Sequence, residues 1–504
     1  MYKAIVGLEV HVELNTKSKM FCSCRNNPNA RIPNSEICPI CLGHPGTLPV
    51  INKEAVRKTI KTGLALNCQI PEYSKFDRKN YFYPDLPKGY QISQLYQPLC
   101  KKGFLEIDGK KIRIREVHLE EDTGRLVHPA LSDYSLVDFN RAGIPLMELV
   151  TEPDLNSAKE ARKFAEELQL ILRYLNVSGA DMEKGEMRVE VNISLAQGSK
   201  RKAQKLGTKV EIKNLNSFRA VEKSIDYEIK RQEKILKSGK KVIQETRGWD
   251  NIRGVTVSQR EKEYAHDYRY FPEPDLPILH LGTPEYLNGI KAEIPELPQQ
   301  KRERFKKEYE LDEKMVAETS SHLPPRSASR SSAIEVFVYN KDLGEYFEKV
   351  ISEFPPNLPR EKLLKLIKLA TNYLITDLQG LLKGASVSGE DFLITPENFA
   401  EFITLIYEGK ISSKIAKMVL GEMFKTGADP SHIIEEKGLI QITDTATIEK
   451  IIKEVISKNQ KAVEDFKKGK AHAFQYLIGQ IMAQTKGKAS PPIVRDILKK
   501  TLTP

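Results

Sequence analysis

Apolar and polar residues alternate strictly near the start of the chain. Residues 8–14 read LEVHVEL, which places four apolar side chains on one face of a strand and Glu9, His11 and Glu13 on the other. The pattern predicts a strand with one buried face and one face of two carboxylates and an imidazole. A solvated edge strand has the same pattern, so this strand alone does not establish a site.

Similar runs, separated by turns rich in Pro, Gly and Asn, continue to about residue 290. They predict an α+β region with a mainly antiparallel sheet. Apolar spacings of three and four predict two helices within it, one over residues 157–175 and one from Ser217 to Lys237. Three prolines in residues 270–277 exclude a helix or a central strand there.

The pattern becomes helical from about residue 293. We therefore predict an α+β sheet domain over residues 1–292, an all-α helical domain over 293–394 and a basic helical tail over 395–504. The polar, breaker-rich residues 318–332 predict a flexible loop within the second domain.

Composition narrows the class of protein. The chain has 504 residues, of which 40% are hydrophobic and 29% charged, as is typical of a folded protein of several domains. It has neither a bilayer-length apolar run nor a signal-peptide pattern, which predicts a cytoplasmic protein with no membrane contact. The net charge of +11 favours a polyanionic partner such as nucleic acid, although a merely basic surface has the same charge.

Further acidic residues interrupt predicted strands. Residues 116–124 contain three consecutive acids, Glu148 stands alone in an apolar run, and Glu211 lies on a polar face. The three consecutive acids are either solvated turn residues or gathered around a cation, because Asp and Glu are poor strand formers that repel one another. Burial of an unpaired carboxylate is costly, so Glu148 requires an Arg, a backbone donor or a metal. The oxygen-rich set with one imidazole, which suits Mg²⁺ or Mn²⁺, comprises Glu9, His11, Glu120 and Glu148.

Two common catalytic motifs are missing from the sequence. The nearest approach to a phosphate-binding loop, at residues 384–389, is followed by acids instead of Lys and Ser or Thr. No G-x-S-x-G nucleophile motif occurs. Phosphate chemistry in this chain would therefore depend on a divalent cation held by carboxylates.

Four of the six cysteines are clustered near the start of the chain, at Cys22, Cys24, Cys38 and Cys41. A C-x-C pair followed by C-x-x-C has the spacing of a zinc site, with free thiols as the alternative. Four thiolates leave no open coordination position, so the predicted role of the zinc is structural.

Aromatic and basic residues are mixed in KFDRKNYFYP at residues 75–84. Aromatic rings stack on unpaired bases and cations bind phosphates, as single-stranded nucleic-acid sites require. Aromatic packing beside a turn explains the same run equally well.

Several longer motifs together indicate a family. They are VGLEVHVEL (6–14), KFDRKNYFYPD (75–85), QISQ (91–94), LEED (119–122), SLVDFNR (135–141), EIKNLNS (211–217) and DYRYFPEPD (267–275). In this order they resemble the B subunit of the glutamyl-/aspartyl-tRNA amidotransferases. EGKISSK (408–414) and GQIM (479–482) are similar to the family's helical tail, so the resemblance covers nearly the whole chain.

The resemblance implies a glutamine-synthetase-like antiparallel catalytic cradle, a helical domain and a tail that binds tRNA. It also implies two chemical steps. ATP phosphorylates the side-chain carboxylate of Glu on tRNA(Gln) or Asp on tRNA(Asn), and ammonia then displaces the phosphate. By position, His11, Glu120 and Glu148 correspond to the family's Mg²⁺ ligands, with Glu9 on the same face and Glu211 as a further ligand.

The resemblance also implies substrate contacts and partners. Lys79, Tyr81 and Tyr83 are expected to line the pocket for the aminoacylated 3′ end. The Ser-Ser-Lys machinery of an amidase, with its Gly/Ser-rich signature, is not visible in the chain. Ammonia is therefore expected from an amidase A subunit, with a small C subunit stabilising the heterotrimer.

Two alternatives stay open at this point. The related archaeal-type subunit carries an inserted domain, and no such insertion is visible in this sequence. A non-enzymatic zinc-containing RNA-binding protein fits the charge and the cysteines, but it gives no purpose to the acids at Glu9, Glu120 and Glu148. The Ser- and Arg-rich residues 320–332 are longer and more polar than the corresponding family region.

Overall fold

The structure is a computed structural model that describes residues 2–130, 132–197, 207–261, 268–311, 332–439, 444–468, 470–485 and 488–502. Apart from Ser332, the predicted loop at 318–332 lies outside the described residues. The chain divides into two compact units, one ending at Pro298 and one beginning at Gln299. The three predicted domains with boundaries at 292 and 394 stay a prediction.

The first unit contains the strands. Within the described residues they are β1 (Tyr2–Glu13), β2 (Tyr73–Ser74), β3 (Asp77–Asn80), β4 (Tyr90–Ser93), β5 (Cys100–Ile107), β6 (Lys110–Glu121), β7 (Arg125–Val127), β8 (Leu136–Asp138), β9 (Pro145–Thr151), β10 (Met187–Gln197), β11 (Val210–Leu215), β12 (Glu245–Asp250), β13 (Val255–Glu261), β14 (Phe271–Pro272) and β15 (Leu279–His280). The proline-rich segment thus forms only the short strand β14, as its missing backbone donors require.

Eight strands form the main sheet, in the order β13-β12-β11-β10-β1-β9-β6-β5. All neighbours are antiparallel except β11 and β12, which pair in parallel. The predicted α+β class with a mainly antiparallel sheet is therefore confirmed. β1 lies in the centre of the sheet, so the solvated-edge interpretation of its alternating pattern is excluded.

The helices of the first unit are α1 (Lys53–Ala65), α2 (Ala158–Tyr174), α3 (Phe218–Lys237) and α4 (Pro284–Ala292). The hydroxyls of Ser157 and Ser217 accept hydrogen bonds from the first turns of α2 and α3, which fixes where these two predicted helices begin. Their apolar faces join those of β1 and β10 in one core, as Phe164 of α2 and Val221 of α3 illustrate. This packing leaves the other face of the sheet to polar groups.

The regular elements of the second unit, in its described residues, are helices joined by turns and loops. Its helices are α5 (Pro298–Tyr309), α6 (Ala333–Tyr339), α7 (Lys341–Ser352), α8 (Arg360–Tyr373), a π-helix (Leu374–Leu378), α9 (Gln379–Leu382), α10 (Pro396–Tyr407), α11 (Ser413–Thr426), α12 (Pro430–Glu436), α13 (Thr445–Lys458), α14 (Gln460–Lys467), α15 (Ala471–Gln484) and α16 (Pro491–Leu502). Helices α13, α15 and α16 share a separate apolar cluster that includes Ile452 and Leu477. None of the helices described here has the length and apolarity needed to span a membrane.

Candidate active site and cysteine cluster

A row of polar side chains crosses three neighbouring strands of the main sheet. His11 on β1 lies opposite Glu148 on β9, and Glu148 lies opposite His118 on β6. Cross-strand partners share a face of the sheet, which explains why residues so distant in sequence meet here. Nε2 of His11 is 3.3 Å from Oε2 of Glu148 and 3.8 Å from Oε1 of Glu120.

His11, Glu120 and Glu148 form the first carboxylate group, because each offers a ligand atom and these atoms lie within 4.8 Å of one another. Glu120 is buried and accepts a hydrogen bond of 3.0 Å from the hydroxyl of Ser93. Two carboxylates and one imidazole at this spacing are a donor set that suits Mg²⁺ or Mn²⁺. The residues present therefore fit the predicted cation.

His118 completes the row, although the sequence pattern did not single it out. Its Nε2 is 3.1 Å from Oε2 of Glu148 and 3.8 Å from Oε2 of Glu120. Its Nδ1 is buried and makes no hydrogen bond to any residue that the structure describes. The available signal was its position two residues before Glu120 on β6, which places both side chains on one face.

The imidazoles and the carboxylates of this row stabilise one another's charged forms. Burial acts to raise the pKa of Glu148, but the charges of His118 and His11 outweigh it and hold this pKa well below its usual value. Burial likewise opposes the charge of His118, and Glu148 and Glu120 outweigh it, which raises its pKa to about 10. The two carboxylates thus require positive charge nearby, and a divalent cation is one source of it.

Glu9 and Glu211 belong to a second carboxylate group, which they form with Glu190. The side-chain amide of Asn192 donates to Glu9 at 2.7 Å, and Nζ of Lys213 lies 2.9 Å from Glu190 and 3.3 Å from Glu211. The single shell predicted from the sequence is therefore divided into two adjacent groups. Glu190 was missed as a member, although it alternates with Asn192 on the polar face of β10.

The three consecutive acids at the end of β6 have different partners. Glu120 belongs to the first carboxylate group, whereas Glu121 binds Lys88 at 2.7 Å. The following Asp122 is 3.0 Å from the guanidinium of Arg188. All three acids are buried, so the solvated-turn interpretation of this run does not apply.

Lys79 and Tyr81 lie next to the first carboxylate group. The pKa of Lys79 is raised because the charges of Glu120, Tyr270 and Glu148 outweigh burial. Its ammonium lies 5.2 Å from the ring centre of Tyr268, which also contacts Tyr81 edge-to-face. Tyr83, in contrast, is 58% exposed on the following turn. The predicted substrate residues thus comprise two beside the carboxylates and one at the surface.

The four clustered cysteines converge as the spacing predicts. The sulfur atoms of Cys22, Cys24, Cys38 and Cys41 all lie within 4.8 Å of one another. A hydrogen bond from the Cys22 thiol, together with the nearby charge of Lys19, lowers the pKa of Cys41 to about 5. Four converging sulfurs, one of them readily deprotonated, fit a tetrahedral zinc ion.

The main sheet with its carboxylates defines a catalytic domain, and a helical domain follows it in the chain. Family models identify both domains. The model described as the GatB/GatE catalytic domain matches residues 4–287, and the model described as the GatB domain matches residues 359–502. The chain belongs to the family of amidotransferase B subunits, which are ligase-type enzyme subunits.

Curated relatives match the chain along its whole length. The B subunit of the aspartyl/glutamyl-tRNA(Asn/Gln) amidotransferase of Thermotoga petrophila is 47% identical, and that of Caldicellulosiruptor saccharolyticus is 48% identical. The protein of the same name from Dehalococcoides mccartyi is 46% identical. In each case the match covers 99% of this chain and 99% of the relative.

Proposed function

We propose that this chain is the B subunit of an enzyme that amidates Glu-tRNA(Gln), Asp-tRNA(Asn) or both in an ATP-dependent reaction. The observation that carries the proposal is the convergence of His11, Glu120 and Glu148 from three strands, in a chain nearly half identical to proteins of that name. The side-chain carboxylate is phosphorylated by ATP, which leaves as ADP. Ammonia then forms the new C–N bond at the acyl carbon, the bond from that carbon to the phosphate oxygen breaks, and the phosphate leaves with one proton of the ammonia.

The reaction needs an activated carboxylate because an unmodified carboxylate is a poor electrophile. We assign His11, Glu120 and Glu148 to one Mg²⁺ or Mn²⁺ ion, and Glu9 and Glu211, with Glu190, to a second. A bound divalent ion supplies positive charge against the phosphate oxygens. The chain's own part is to hold these carboxylates in place and to keep the acyl phosphate away from bulk water in a partly buried site.

The aromatic and basic residues beside the carboxylates orient the substrate. Lys79 carries a positive charge next to Glu120 and Glu148, where it can bind a phosphate or the substrate carboxylate. Tyr81, edge-to-face with Tyr268, offers a surface against which a terminal base can stack. We assign Tyr83, which is exposed on the adjoining turn, to the same 3′ end.

The remaining proposals concern partners and location. Ammonia is supplied by an amidase A subunit, and a small C subunit stabilises the complex, which we place in the cytoplasm. The basic helical tail binds tRNA. Zinc in the four-cysteine cluster has a structural role.

The test is an amidation assay of the reconstituted complex on both misacylated tRNAs. We expect ATP-dependent formation of Gln-tRNA(Gln), Asn-tRNA(Asn) or both, with ADP released in proportion. tRNA binding without amidation of either substrate would favour the non-enzymatic zinc-containing RNA-binding protein instead. The acidic groups at Glu9, Glu120 and Glu148 argue against that alternative, because RNA binding alone gives these acids no role.

A further inference from the structure

Lys19 is completely buried beside the cysteine cluster. It lies in the turn after β1 and is 0% exposed, which is rare for a lysine. Its ammonium lies 3.8 Å from the sulfur of Cys41 and 3.2 Å from the carbonyl oxygen of Phe139. Within the part of the chain that the structure describes, no carboxylate pairs with it.

A buried ammonium is costly unless a negative charge compensates it. Among the described residues, the side-chain contacts of the ammonium are the sulfur of Cys41 and the carbonyl oxygen of Phe139, so the cysteine cluster is the source from which that negative charge can come. Four thiolates around one divalent ion carry a net charge of about −2, and buried N–H groups that point at the sulfurs spread that charge. Lys19 is therefore suited to a cluster that holds a metal ion.

Lys19 also connects the cysteine cluster with the chain that leads to the carboxylates. Its ammonium binds the carbonyl of Phe139, and its side chain packs against Gly143, whose φ is +83°. The carbonyl of Gly143 accepts from the backbone N–H of Met20 at 2.7 Å, and its own N–H donates to the carbonyl of Asp122 at 2.9 Å. The turn at residues 139–143 thus joins the cluster to the end of β6 and the start of β9.

We propose that Lys19 is the charge partner of a tetrathiolate metal centre and fixes the turn at residues 139–143 to that centre. The proposal rests on the zinc assignment and not on the amidation chemistry. In this scheme the metal affects more than its own loop, because the turn at residues 139–143 leads directly into β9, the strand that carries Glu148. Lys19 is a positioning residue in this scheme, since it touches neither substrate nor the reacting atoms.

The first experiment compares zinc binding by the full-length chain and its Lys19→Met variant. Methionine keeps the volume and removes the charge and the N–H donors. We expect zinc affinity, measured by competition with a chromophoric chelator, to fall by about tenfold or more, the effect typical of losing a group that supports metal ligands. The matched control is Lys17→Met, which removes an exposed lysine from the same turn and should leave the affinity unchanged.

A spectroscopic readout separates this role from general packing. In the Co²⁺-substituted protein, the ammonium stabilises the electrons of the Cys41 sulfur, so its removal should shift the sulfur-to-cobalt charge-transfer band to lower energy. A Lys19→Met variant that folds, keeps its zinc affinity and shows an unshifted band would overturn the proposal. Failure of amidation in the same variant would not bear on it.

A measurement on the unmodified protein covers the case in which Lys19→Met does not fold. Hydrogen exchange is compared between the zinc-loaded full-length chain and the same chain stripped with EDTA. We expect backbone amides of residues 139–143 to exchange faster without zinc, while those of α2 stay protected. Unchanged exchange in this turn after complete removal of zinc would contradict the proposed link.

Discussion

The two units of the chain differ in how many charged side chains they bury. Up to Pro298, many carboxylates are buried in the described residues, among them Asp77, Glu120, Asp122 and Glu211. From Gln299 onward, the only charged side chain found buried among the described residues is Lys301. Buried charge is costly and is retained where a site needs it, whereas exposed charge costs little. The first unit therefore buries the charged groups that the proposed chemistry requires, and the exposed charge of the second unit suits the tRNA contact that we propose for it.

Ion pairs from the two units illustrate the same difference in burial. Glu121 and Lys88 form a pair in which both side chains are largely buried, and the buried Asp122 pairs with the partly exposed Arg188. In the helical unit, Glu361 and Lys365 pair on an open helix face, where solvent screening leaves such contacts little effect on stability. Substitutions in the two units should therefore fail differently, in turnover for the first and in tRNA affinity for the second.

The largest effect is expected from Glu148→Gln or His11→Ala. Each removes a donor from the first carboxylate group, and cation stabilisation of phosphate chemistry is worth several kcal/mol, so ATP-dependent amidation should fall by about three orders of magnitude. tRNA affinity, measured by filter binding, should change little. Turnover that stays intact would refute the metal assignment. A parallel loss of tRNA affinity would contradict the assignment of catalysis to the first unit and tRNA binding to the second.

Glu211→Gln tests the second carboxylate group and should have a smaller effect. Because Lys213 and Thr246 still contact the glutamine position, we expect the KM for the Mg²⁺–ATP complex to rise by about tenfold, while some turnover persists. Titration with Mn²⁺ should show two sites in the wild-type chain and one in this variant. Glu106→Gln, at an exposed position of β5, is the control. A single Mn²⁺ site in the wild-type chain would contradict the assignment of the two carboxylate groups to two separate ions.

His118→Leu and His118→Gln test the residue that completes the row. Leucine removes the donor that faces Glu148, so we expect weaker Mn²⁺ binding and turnover reduced by about tenfold. Glutamine keeps an N–H donor at a similar reach and should restore part of both. Equal losses in the two variants would mean that His118 acts through packing alone.

Local patterns predicted the elements of the first unit well. The alternation in residues 8–14 indicated the buried and polar faces of β1, and the spacing of apolar residues located α2 and α3. These features depend on neighbours two to four positions apart, so one sequence contains them. The family resemblance supplied the relation among distant motifs that periodicity does not contain.

The grouping of the acids depends on long-range strand order, which alternation does not encode. β1 lies between β9 and β10, so His11 meets Glu148 on one side while Glu9 meets Glu190 on the other. A period of two fixes the face on which a side chain lies, but not the strand beside it. For this reason the sequence pattern does not assign His118 and Glu190 to the carboxylate groups, and it predicts one shell where the structure has two groups.

The smallest effect, and the sharpest test of the helical unit, is expected from Lys467→Gln combined with Lys468→Gln. Both lysines are exposed at the end of α14, in the tail that we assign to tRNA. Each lost phosphate contact should reduce the slope of log affinity against log salt concentration by about 0.7 to 0.9, with tRNA affinity weakened severalfold and amidation at saturating tRNA unchanged. The control removes two exposed lysines from the first unit, Lys240→Gln with Lys241→Gln, and keeps the same net charge. An equal change of slope in both variants would show that overall charge, and not a contact surface on the tail, attracts the tRNA.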